Sequence, residues 1–87
     1  MKKERLYATK GNIDGEVNLQ WEPVEGAKYY IVQASNGKNK WKDVDMITKA
    51  AYTVSRLKSG KKYSFRVAAI TLEGQREWSK PAEKTAP

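Results

Sequence analysis

The chain has 87 residues, which is one domain and excludes a TIM barrel or a Rossmann unit with a separate substrate domain. It holds no cysteine and no histidine, so disulfides, thiolate or His-ligated metal sites, a Cys nucleophile and a Ser-His-Asp triad are excluded. Seventeen basic against ten acidic residues give a charge of +7, and no apolar run matches a membrane span or a secretory signal.

The first expected strand is Arg5–Thr9. Glu16–Trp21 then alternates with period two. Val17, Leu19 and Trp21 fall on one face, and Glu16, Asn18 and Gln20 on the other, as in a half-buried strand. Asp14-Gly15 provides the turn before it, and Pro23, which cannot donate to a ladder, ends it. Glu25-Gly26 makes the next corner. Lys28–Ser35 follows, apolar on both faces over Tyr29–Ala34 except at Gln33, which suits a central strand. Asn36-Gly37 turns the chain into Lys40–Met46. Trp41–Ala51 comes closest to an amphipathic helix, but β-branched Val44, Ile47 and Thr48 argue against it.

Ala51–Ser55 is the fifth strand, with Tyr52 and Val54 in register. Leu57 falls out of phase, as where a strand bends into a loop. Past Ser59-Gly60, Lys61–Thr71 alternates again: Tyr63, Phe65, Val67 and Ala69 inward, Lys62, Ser64, Arg66 and Ala68 outward. Gly74 marks a turn, and Trp78–Thr85, which contains Pro81, is expected as an edge strand. Short strands separated by turn signals predict an all-β sandwich or barrel. Residues 1–4 and 86–87 read as linker stubs around a domain at residues 5–85.

Several of these segments resemble the fibronectin type III family. Val17-Asn18-Leu19-Gln20-Trp21-Glu22-Pro23 looks like its second strand, with a buried tryptophan and a following proline. Gly26-Ala27-Lys28-Tyr29-Tyr30-Ile31-Val32 is similar to its third-strand entry. Leu57-Lys58-Ser59-Gly60-Lys61-Lys62-Tyr63 looks like its tyrosine corner, and the run to Ala69 like its sixth strand. Gly74 through Trp78-Ser79-Lys80-Pro81 resembles the last loop and strand. Asn36 to Lys42 with Trp41 looks more like bacterial than animal members.

The resemblance implies a seven-strand antiparallel immunoglobulin-like β-sandwich, with Trp21 and Tyr63 sharing its dry interior. It also implies an extracellular or cell-surface setting and adjacent domains of a parent chain as neighbours. The Tyr63 hydroxyl is expected to find a backbone partner near Leu57 or Ser59. Some animal members carry an integrin-binding Arg-Gly-Asp in the last loop. Here that loop reads Glu73-Gly74-Gln75-Arg76, so it is expected to be a plain hairpin.

Three further constellations stand out. Trp78-Ser79 resembles half of the Trp-Ser motif of cytokine-receptor modules, in which aromatic rings interleave with arginines, and Arg66 projects toward it from the sixth strand. Tyr29, Ile31, Ala68 and Ile70, with Trp41 from the next strand, form an outward apolar patch that is the leading candidate for a protein-partner surface. Lys38, Lys40 and Lys42 alternate beside Trp41, the minimum unit of a polyanion or glycan contact. Asp43 and Asp45 follow directly, so solvation and edge protection explain the lysines equally well. The carboxylate pairs Glu22/Glu25 and Asp43/Asp45 lie where loops and edges need solvated groups. No enzyme activity, cofactor or metal is expected. The expected protein is a monomeric, non-catalytic module, acting as a spacer or a protein-interaction domain. The alternatives are a polyanion or carbohydrate-surface binder and an engineered binding scaffold.

Overall fold

The protein is described here by a computed structural model covering residues 6–36 and 40–87. Residues 1–4, expected as a stub, and Lys38 lie outside the described residues. The strands are β1 (Leu6–Lys10), β2 (Val17–Trp21), β3 (Tyr29–Ser35), β4 (Lys42–Ile47), β5 (Ala51–Val54), β6 (Lys62–Thr71), β7 (Gly74–Gln75) and β8 (Ala82–Thr85). All pairings are antiparallel, in a sheet ordered β1-β2-β5 and a second ordered β4-β3-β6-β7, with β8 also on β6. The helical alternative at Trp41–Ala51 is resolved as β4, a turn and the start of β5.

The period-two residues meet between the sheets. Val17, Leu19 and Trp21 from β2, Tyr30 and Val32 from β3, and Phe65, Val67 and Ala69 from β6 are all buried. The Trp21 indole meets Tyr30 edge-on, with ring centroids 5.4 Å apart. Its buried Nε1 has no hydrogen-bond partner among the described residues. Such an unpaired donor costs about 1–3 kcal/mol. Burying the ring, at ~150–250 Å² and ~25 cal/mol per Å², contributes about 4–6 kcal/mol, so the indole still stabilises the core.

Tyr63 departs from expectation. It lies half-buried at the rim of the cluster, its ring 6.4 Å from Phe65, while Tyr30 is the tyrosine packed with Trp21. Tyr63, second in β6, pairs with Lys84, whereas Tyr30 pairs with Ala69 toward the other end of that strand, where Trp21 lies. Its hydroxyl does take a backbone partner, accepting the Lys58 N–H at 3.0 Å in an exposed setting. Tyr63→Phe is expected to cost about 0.5–1.5 kcal/mol, because water can rehydrate the released amide. Urea midpoints check this. An unchanged midpoint, or a loss beyond about 3 kcal/mol, contradicts it.

Eight strands replace the expected seven because the last strand is broken. The chain pairs with β6 at Gly74–Gln75, leaves the ladder, and pairs again at Ala82–Thr85. Between these pieces Arg76 N–H donates to Ala69 O and Ser79 N–H to Val67 O, while the Ser79 hydroxyl accepts the Val67 N–H at 3.0 Å. A side chain thus replaces one main-chain acceptor, and Pro81 supplies no donor. β7 and β8 run in the same direction, so the sandwich keeps the polarity of seven strands. β1 begins at the Trp21 end of β2, and β8 ends beside Lys62 at the opposite pole.

The C-terminal segment read as a stub is seated in that pole. Ala86 is buried and exchanges backbone hydrogen bonds with the loop before β6, its N–H reaching Lys61 O and its carbonyl accepting from Gly60. The Pro87 carbonyl accepts from Gly15 N–H at 2.8 Å and from the Ser59 hydroxyl at 2.8 Å. A chain end reads as linker by its position, but this one's contacts come from loops remote in sequence.

Candidate functional site

The outer face of the five-stranded sheet gathers most of the candidate residues. Arg66 projects from β6 on this face, and its Cζ lies 4.3 Å from the ring centroid of Trp41 and 4.3 Å from that of Trp78. The guanidinium is therefore held between two indoles that come from opposite sides of β6, each contact contributing about 0.5–2 kcal/mol. Trp78 reaches it from the break between β7 and β8, and Trp41 from the residue before β4. Burial pulls the Arg66 pKa below its ordinary value, yet the group stays a cation.

A polar relay fixes the edge of the guanidinium. Arg66 Nε donates to Gln33 Oε1 at 2.9 Å, and Gln33 Nε2 donates to Asp43 Oδ1 at 2.7 Å. Register explains the alignment, since Gln33 pairs with Arg66 on one side and Asp43 on the other. Gln33 and Asp43 were not singled out as site residues. The available signal was that Gln33 is the one polar residue in an otherwise apolar strand.

The expected apolar patch is only partly open. Tyr29 pairs with Ile70 and Ile31 with Ala68, so four of its members are adjacent across β3 and β6. Tyr29, Ile31, Ile70 and Trp41 are half-buried, and Ala68 exposes just 2% of its surface. Ala68 has the outward parity expected of it, but a methyl group is too short to rise past neighbours such as Ile31. Trp41 joins Arg66 through its ring. Met46, opposite Ile31, is the face's most open apolar side chain, at 59%.

Of the lysine row, Lys40 and Lys42 fall within the described residues and Lys38 does not. Lys42 lies in β4 and is exposed, Lys40 is exposed ahead of the strand, and Asp43 beside them is tied to Gln33. A shallow depression of roughly 390 Å³ lies at the β4–β5 corner, lined by Met46, Ile47, Thr48, Lys49, Ala51 and Tyr52. Burial, a hydrogen bond to Asp45 and that carboxylate's charge raise the Tyr52 pKa above its ordinary value. Among the described residues no cluster of acidic side chains could hold a metal ion, and no helix is long and apolar enough to cross a membrane.

The family model described as fibronectin type III domain matches residues 5–85. A fibronectin type III-like protein from Clostridium thermocellum is similar at 25% identity and a TM-score of 0.84, over 94% of this chain and 88% of that one. The twitchin kinase region of C. elegans is similar at 25% identity and 0.77, over 90% of this chain and 15% of that one. Titin domains A168–A170 are similar at 26% identity and 0.75, over 91% and 30%. A sandwich of this topology with a family match over nearly all of its length has one reading: the chain belongs to the fibronectin type III family.

Proposed function

We propose that the module is a monomeric, non-catalytic spacer that passes the chain between neighbouring domains along its long axis. The family is generally non-catalytic and commonly occurs as a module within larger proteins such as titin or twitchin. The observation that carries the reading is the placement of β1's start and β8's end at opposite poles of a body 38 Å long. The exit is also held: the Pro87 carbonyl is fixed by Gly15 and Ser59, so direction is set where the chain leaves.

The test joins two copies in one chain, Pro87 to Met1, and measures the maximum dimension by small-angle X-ray scattering. Growth close to the 38 Å long axis is expected. A dimer of copies lying side by side, with growth below half that length, overturns the spacer reading.

A second reading is favoured by a separate observation. The outer face of the five-stranded sheet combines the Trp41–Arg66–Trp78 stack with the apolar Met46–Ile31 pair. Tryptophan, arginine and methionine are enriched where proteins meet. This reading makes the face a protein-interaction surface, one that a spacer carries without loss of its first role.

A further inference from the structure

We propose that the guanidinium of Arg66, clamped between Trp41 and Trp78, receives a single carboxylate of a peptide segment laid across the outer face of the five-stranded sheet. The inference rests on the interaction reading and names the chemistry of its partner. A guanidinium has five N–H donors in a rigid fork. One, on Nε, is spent on Gln33. Its Cζ also lies 4.3 Å from an indole ring on each side of β6, Trp41 and Trp78. What is left is the edge carrying the terminal nitrogens, the geometry that takes a carboxylate through two parallel hydrogen bonds.

The stack accounts for where the guanidinium sits, but it supplies no counter-ion. Among the described residues the one ion pair is Lys62–Glu83, and none involves Arg66. Its nearest linked carboxylate, Asp43, is reached through Gln33 and is itself occupied there. A half-buried cation with its position fixed on three sides is preorganised, so a partner's carboxylate meets little ordering cost on binding.

The surroundings select a peptide over a dense polyanion. Asp43 lies exposed on β4 on the same face as Arg66, through Gln33, and its charge opposes a polymer of closely spaced phosphates or sulfates. One carboxylate meets no such series. The apolar Met46–Ile31 pair beside the stack offers contact to an apolar side chain flanking that carboxylate.

The experiment uses two capped pentapeptides, one with a central glutamate between leucines and one with glutamine in its place. Binding is followed on ¹⁵N-labelled protein by the Arg66 Nε–H resonance and the indole N–H resonances of Trp41 and Trp78, with buried Trp21 as internal reference. The glutamate peptide is expected to shift these signals saturably, and the glutamine peptide to bind at least about tenfold more weakly, since it lacks a charge-assisted pair. Arg66→Lys keeps the charge but loses the fork, and is expected to weaken glutamate-peptide binding by about tenfold. Lys58→Glu with Lys61→Glu, away from the face, is expected to leave it unchanged.

Equal binding of the two peptides overturns the carboxylate proposal while leaving the interaction face standing. Loss of binding in the Lys58/Lys61 variant, or tighter binding of polyphosphate on the same resonances, overturns it in favour of general attraction to polyanions. No shift from either peptide overturns the proposal and the interaction reading together, and the spacer reading is judged separately by the scattering measurement. The peptide comparison needs no variant to fold.

Discussion

Phe65→Ala is expected to remove about 3–5 kcal/mol, between a third and all of the domain's stability in water. Phe65 is the largest fully buried side chain, with no exposed surface, and it lies in β6, which pairs with β3, β7 and β8. Truncating a buried phenylalanine costs about 3–5 kcal/mol, the transfer of the ring plus the cavity left behind. An ordinary domain of this size holds on the order of 5–10 kcal/mol. At an m-value near ~1 kcal/mol per M of urea, the midpoint falls by several molar. Leu72→Ala is the control, because Leu72 is comparably apolar but 87% exposed on the loop before β7. It should change stability by no more than about 0.5 kcal/mol. Similar midpoint shifts for the two variants would show that Phe65 does not lie in a dry interior.

Phe65 also shows what was legible in the sequence and why. Alternation over β2 and β6 assigns each residue a face with no knowledge of the partner strand, so Val17, Leu19, Trp21, Phe65 and Val67 were readable as core, and all five are buried. Parity gives direction and not depth. Tyr30 and Tyr63 both point inward, yet only Tyr30 meets Trp21, because depth depends on where along the axis each strand crosses its neighbours. Ala68 was placed on the correct face, but its burial depends on the height of surrounding side chains.

The broken last strand was illegible for a related reason. Its departure from β6 depends on the Ser79 hydroxyl standing in for a carbonyl, and on Trp78 turning back to the Arg66 cation. Local pattern carries neither. The Trp78–Arg66 contact was anticipated from the Trp-Ser resemblance. The second ring was not, because Trp41 reaches Arg66 only across the intervening strand β3, through a register that shifts between Val32 and Gln33. Position at the chain end suggested a stub at residues 86–87. Residues 86–87 carry no apolar periodicity, yet Ala86 is covered by loops that the antiparallel order of the sheets returns to the same pole.

Gly15→Ala is expected to cost about 2–4 kcal/mol, although it adds a single methyl group. Gly15 joins three segments: its N–H donates to Pro87 O at 2.8 Å and its carbonyl accepts from Leu57 N–H at 3.0 Å. Its φ is +82°, and a Cβ there would stand 2.8 Å from the Leu57 carbonyl oxygen. That oxygen belongs to the main chain and cannot rotate away, so relieving the contact must displace the Gly15–Leu57 hydrogen bond, worth about 0.5–1.5 kcal/mol, and loosen the Pro87 anchor with it. Gly26 and Gly60 are matched controls. Their φ values are +82° and +83°, and a Cβ at either meets nothing within 4 Å. Alanine at those positions carries only the left-handed backbone penalty, about 1–2 kcal/mol, partly offset by the stiffer unfolded chain. Urea midpoints of the three variants therefore separate the contact from the conformation. Gly15→Ala should be the least stable by more than about 1 kcal/mol, with faster amide exchange at Leu57. Three equal midpoints would mean that the Gly15–Leu57–Pro87 junction does not brace this pole, and the fixed exit on which the spacer reading depends would go with it.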